Sequence, residues 1–181
     1  MTTSIGKQIF FVVGTSEESG KTLVAEYLMR RFGVPTVSSS VVIEPRVDVL
    51  LDLPVGTVAE ARKTWRNAYR QDLVDEGNRM RAAGNPPGVV CVRKGYRIID
   101  GLRTGPELAA SIDYARSIGL DPFVFCVDRH GRPPIDNTDV AGLSALADTM
   151  IHNDWEDNKP ALFAVVETAL TTKRNGSRRD K

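Results

Sequence analysis

Only two cysteines and two histidines occur in the 181 residues. Cys91 and Cys126 sit inside apolar stretches, Val89-Val90-Cys91-Val92 and Phe123-Val124-Phe125-Cys126. That setting predicts buried thiols of a cytoplasmic protein rather than a disulfide. With no Cys-x-x-Cys and no closely spaced histidine pair, the usual structural zinc site is excluded. No stretch approaches the ~20 apolar residues of a membrane span, and the N-terminus has no leader-type apolar segment. The expectation is therefore a cytoplasmic protein with no membrane partner. An excess of one charge is also missing. Lys and Arg number 24, Asp and Glu 23, for a net charge of +1, so the molecule as a whole is no polyanion trap. Internal repeats and linker-like stretches are absent, which leaves one domain over about residues 1–171 and a polar, basic tail over 172–181 expected to be disordered.

Against these absences stands one dense signal. The apolar run Ile9-Phe10-Phe11-Val12-Val13-Gly14 leads into Thr15-Ser16-Glu17-Glu18-Ser19-Gly20-Lys21-Thr22. A buried strand that ends in Gly-Lys-Thr and turns into a helix is the setting of a phosphate-binding P-loop. Backbone N–H groups of such a loop point inward, and the next helix adds positive partial charge at its start. Gly14, Thr15, Ser16, Glu18, Ser19, Gly20, Lys21 and Thr22 are the candidate nucleotide-binding residues. Lys21 is placed to reach the β- and γ-phosphates, and the Thr22 hydroxyl to ligate Mg²⁺. The usual pattern has four residues between its glycines; here five separate Gly14 from Gly20. Either Thr15 takes the first position or the loop is one residue longer.

Along the chain, strands are expected at 8–14, 35–38, 96–100, 121–127 and 149–152. Helices are expected at 20–32, from Val58 to about Ala83 with Thr57 as cap, from Gly105 to near Gly119, at about 140–147 and at 159–171. Val89–Val92 reads as helix or strand. The alternation predicts an α/β fold with a mostly parallel five-stranded sheet between helical layers.

Three constellations could carry chemistry. Asp100 ends an apolar strand, where ligands of open α/β sheets gather, and could hold Mg²⁺ or position an acceptor; Arg103 follows three residues on. Arg129-His130-Gly131-Arg132-Pro133-Pro134 suits a mobile lid, over about 128–138, whose arginines neutralise a transferred phosphoryl group. The region 40–95 would hold the acceptor. Its candidates are Trp65, Arg66, Tyr69, Arg70, Arg79 and Arg81 for stacking and phosphate contact, with Glu44, Arg46 and Asp48 after the second strand.

With these pieces placed, the chain resembles the P-loop nucleoside monophosphate kinases, above all the phage-type deoxynucleoside monophosphate kinases. The likeness rests on Ser19-Gly20-Lys21, on Ile98-Ile99-Asp100-Gly101-Leu102-Arg103 with Glu107, on the fourth strand with its arginine lid, and on Ala147 to Asp154. The Asp100 segment is similar to the family's Asp-Val-Arg-x-x-x-Glu with one residue more, and the last segment to its Ile-x-Asn-Asp. The resemblance implies a P-loop NTPase α/β/α sandwich, ATP and Mg²⁺, a nucleotide acceptor, and location in the host cytoplasm if phage-encoded. It also implies an adenine contact, which falls on Asn153, and it places Lys21, Asp100, Arg103, Arg129 and Arg132 in the catalytic set.

Three readings compete: a kinase of free deoxynucleoside monophosphates, a kinase of 5-hydroxymethyluracil within phage DNA, and a regulatory NTPase without a small acceptor. No Asn-Lys-x-Asp guanine signature occurs, which disfavours a switch GTPase. For DNA, Lys173, Arg174, Arg178 and Arg179 of the tail could add phosphate contacts. Monomer and homodimer are both compatible with the sequence.

Overall fold

The computed structural model describes residues 4–65, 67–135, 138–154 and 159–176. Arg66, Arg178 and Arg179 lie outside them. Five strands form the sheet: β1 (Gln8–Gly14), β2 (Thr36–Ser38), β3 (Ile98–Asp100), β4 (Asp121–Asp128) and β5 (Thr149–His152). Their order is β2-β3-β1-β4-β5, and every pairing is parallel. Parallel strands need crossovers, and helices supply them: α1 (Lys21–Phe32), α2 (Glu44–Leu50), α3 (Thr57–Thr64), α4 (Arg70–Ala82), α5 (Pro87–Arg93), α6 (Gly105–Ser117), α7 (Val140–Ala145) and α8 (Lys159–Gly176).

The pleat of β1 sorts these helices into two layers. Phe10 and Val12 face α1 and α8, packing with Val24, Leu28, Leu162 and Val166. Ile9, Phe11 and Val13 face the opposite side, with Cys91 of α5, Leu108 and Ile112 of α6, and Leu143. Both faces of β1 are covered, which is why its sequence is a continuous apolar run rather than an alternation. Cys91 and Cys126 are both buried free thiols. Burial pushes the Cys91 thiol up to about 12. Among the described residues, no helix is long and apolar enough to cross a membrane.

Three expectations are corrected. The single helix from Val58 to Ala83 is two, α3 and α4, broken where Trp65 is extended and Tyr69 takes φ 55°. Thr64, Trp65 and Asn67 are weak helix formers, and the break lets Tyr69 pack on the core while Trp65 is 64% exposed. Thr57 is not the cap of α3. Gly56 holds that place at φ 94°, and the cap is long-range: the buried Asp48 carboxylate accepts from Gly56 N at 2.7 Å and Val58 N at 2.9 Å. Finally, α8 continues to Gly176, into the span expected to be a disordered tail. Lys173 is anchored there, donating to the Pro122 carbonyl at 2.8 Å and pairing with Asp121 at 3.0 Å, so it is not spare for DNA.

Candidate functional site

The connection from β1 runs one way along the sheet to β2, while those from β3 and β4 run the other way. Crevices open at such reversals, at the carboxyl ends of the strands. The segment 15–20 fills that position, between the end of β1 and the start of α1.

Its geometry is tight at both glycines. A side chain at Gly14 would lie 2.6 Å from Ser19 Oγ and 3.0 Å from Lys21 Cδ, so these two side chains close tightly over Gly14 and would have to shift for any larger residue. Ser19 and Lys21 thus pack against the Gly14 end of the loop. Thr15 faces away, its hydroxyl donating to Asp128 Oδ1 at 2.8 Å. The intervening residues turn through Glu18 at φ 50°, and the loop closes on Gly20 at φ 91°, where any side chain would strike Asn153.

The start of α1 has no side-chain cap and no acidic residue in its first turn. Ser19 Oγ, within the loop, is buried without a hydrogen-bond partner. A buried hydroxyl of this kind is costly unless something accepts or donates to it. An uncapped helix start, an orphaned hydroxyl over Gly14 and a lysine folded along the loop together fit an anionic oxygen ligand such as phosphate.

The loop is braced from β4 and β5. Asn153 is buried, and its side-chain amide donates to the Ser19 carbonyl at 2.8 Å while its N–H donates to the Asp128 carbonyl at 2.7 Å. This contact is to the loop backbone, and it is additional to the adenine contact that the resemblance implies for Asn153. Burial pushes the Asp128 carboxyl up, but hydrogen bonds from Thr15, Ser16 and the Arg129 N–H outweigh it, and His152 nearby helps hold it below the ordinary value. Asp128 was missed by the sequence reading. The rule that singled out Asp100, a carboxylate closing an apolar strand and followed by a basic loop, applies equally to it.

Asp100 is buried at the end of β3, in register with Val12, on the sheet face that α1 covers. Arg103 follows on the connection to α6, and its carbonyl accepts from Asp139 N at 2.8 Å. Thr22 is exposed in the first turn of α1. Among the described residues, no group of three or more His, Cys, Asp or Glu could hold a metal ion. Thr22 and Asp100 offer a hydroxyl and a carboxylate, the small protein share that Mg²⁺ takes when phosphates and water complete its shell.

The segment 129–135, expected to act as a lid, lies against the loop. It is stitched to the loop: Arg129 N donates to Ser16 Oγ at 2.8 Å, Glu17 N to the Pro133 carbonyl at 3.0 Å, and Ile135 N to the Thr15 carbonyl at 3.2 Å. Arg129 and Arg132 thereby stand beside the loop, both within ion-pair distance of Glu18.

Several of the described acceptor candidates are engaged by carboxylates. Arg46 and Arg79 flank the buried Glu76, Arg62 pairs with Glu44, and Arg81 pairs with the buried Glu107 at 2.9 Å. Desolvation raises the Glu107 carboxyl, opposed by Arg81 and the N–H groups of Gly88 and Arg103. Arg70 contacts Asn67 at 3.5 Å. Asp48 caps α3 from a buried position. A cavity of about 480 Å³, mostly apolar, lies in this region between Val42, Arg46, Met80 and Val90 and shares no lining residue with the Gly14–Gly20 loop.

In comparisons with known proteins, no family model and no curated sequence matches the chain.

Proposed function

We propose that this protein is an ATP- and Mg²⁺-dependent phosphotransferase of P-loop type, moving the γ-phosphoryl group of ATP to a deoxynucleoside monophosphate. The observation that carries the reading is the Gly14–Gly20 loop: an orphaned Ser19 hydroxyl, a folded-back Lys21 and an uncapped helix start converge at the sheet's reversal point.

In this reading the Gly14–Gly20 backbone and the α1 N-terminus bind the phosphates, and the Lys21 ammonium reaches the β- and γ-oxygens. Thr22 and Asp100 would hold Mg²⁺, which would supply charge neutralisation for the phosphates. Asp100 also orients the acceptor. Arg103, Arg129 and Arg132 offset the charge that builds on the transferred group, since phosphoryl transfer asks the protein mainly for positioning and electrostatics.

A base within DNA is the second reading of the acceptor. The exposed indole of Trp65, with Val55 84% exposed nearby in sequence, supports it, because a base turned out of the helix stacks on an aromatic surface. Labelled ATP and Mg²⁺ offered with free deoxynucleoside monophosphates beside duplex DNA carrying hydroxymethylated pyrimidines separates the two. Conversion of a free monophosphate to its diphosphate supports the first. Labelling of DNA alone, falling steeply with salt, supports the second. Nucleotide hydrolysis without transfer to either acceptor would leave a regulatory NTPase.

A further inference from the structure

The two arginines beside the loop already hold an anion, and it belongs to the loop itself. Glu18 Oε2 lies 3.0 Å from Arg132 Nη2 and 3.8 Å from Arg129 Nη1. The Arg129 side chain is only 16% exposed, whereas that of Glu18 is 65% exposed. Glu18 is thus held at a largely buried cation by charge rather than by packing. Its backbone sits at φ 50°, a conformation that non-glycine residues seldom adopt. It lies between Gly14 and Gly20, which five residues separate. A carboxylate oxygen facing two guanidinium groups presents the same chemistry as a phosphate oxygen facing them.

Resting on the phosphate-loop reading, we propose that Glu18 is a built-in latch: its carboxylate occupies Arg129 and Arg132 until a phosphate-bearing ligand takes them over. An exposed carboxylate pair is weak, so a polyphosphate, with more charge and more oxygens, displaces it. Binding then has two consequences. The arginines turn from Glu18 to the ligand, and the Glu18 carboxylate is released into solvent. The latch raises the charge a ligand must carry to engage the site, which disfavours singly charged anions.

Calorimetric titration with inorganic pyrophosphate and with ATP tests this without relying on turnover. The proteins are wild type, Glu18→Gln, Arg132→Ala, the double variant and Lys21→Ala. The latch predicts that Glu18→Gln binds both probes tighter, by roughly three- to tenfold at low salt, the scale of one or two exposed ion pairs. In the Arg132→Ala background most of that gain should vanish. Unchanged or weaker binding by Glu18→Gln overturns the latch, and so does an equal gain in both backgrounds, which would mark a general charge effect. Loss of binding in Lys21→Ala alongside either result leaves the phosphate loop standing. If wild type binds neither probe, the phosphate-loop reading falls, and the latch with it.

Discussion

Asn153 Nδ2 donates a 2.8 Å hydrogen bond to the carbonyl oxygen of Ser19, joining the end of β5 to the loop that precedes α1. The same residue anchors its own N–H on Asp128, so one asparagine ties three segments together. Asn153→Ala should leave the Ser19 carbonyl buried and unpaired, at a cost of about 1–3 kcal/mol. We expect a lower Tm and weaker binding of pyrophosphate as well as ATP. If ATP binding alone weakens while Tm and pyrophosphate binding hold, Asn153 contacts the adenine instead.

Lys21→Ala and Asp100→Asn separate binding from chemistry. The first should abolish phosphate binding with little change in Tm, because Lys21 lies outside both core clusters. The second keeps the shape at a buried strand end and removes the charge. It should lower turnover by roughly 10²-fold or more while nucleotide affinity survives. Turnover within a few-fold of wild type would leave Asp100 a structural role only.

Asp128 sets a pH dependence. Hydrogen bonds hold its carboxyl below the ordinary value despite burial, so the folded protein binds this proton more weakly than the unfolded chain does. Its contribution to stability is therefore present above the ordinary aspartate pKa of about 3.9 and is lost as pH falls through the lower, folded value. Thermal melts of wild type and Asp128→Asn should differ most near neutral pH and converge below about pH 4. A difference that grows on acidification would contradict the assignment.

Asp48 should matter to stability and not to the acceptor. It caps α3 through Gly56 and Val58 from a buried position. Asp48→Ala removes a cap and strands a buried N–H, for a loss of about 2 kcal/mol, or about 4–8 °C in Tm. The KM for the acceptor, measured well below the melting range, should not move. A raised KM with an unchanged Tm would return Asp48 to the ligand contacts.

Local pattern was enough for the strands and for α1, α6, α7 and α8, whereas α2 was not expected and α5 was left between helix and strand. The apolar runs at 8–14 and 121–127 could only be strands covered on both faces, and their spacing by helical segments required parallel crossovers. The loop, its lysine and the strand-end Asp100 were legible for the same reason: each depends on residues adjacent in the chain. What lay beyond reach depends on partners far apart in it. The break between α3 and α4 comes from Tyr69 turning to the core, and the α3 cap from Asp48 eight and ten residues earlier. That Ser19 and Lys21 close over Gly14 was likewise hidden. Arg46, Arg79 and Arg81 read as acceptor contacts because charge is visible in sequence and its neutralisation is not: Arg46 meets Glu76 and Arg81 meets Glu107 across long stretches of chain, and Arg79 shares Glu76. Likewise Arg129 and Arg132 were recognisable as cations beside a phosphate loop, but the sheet's strand order and the contacts across 113 positions from Ser16 to Arg129 decided that they meet Glu18.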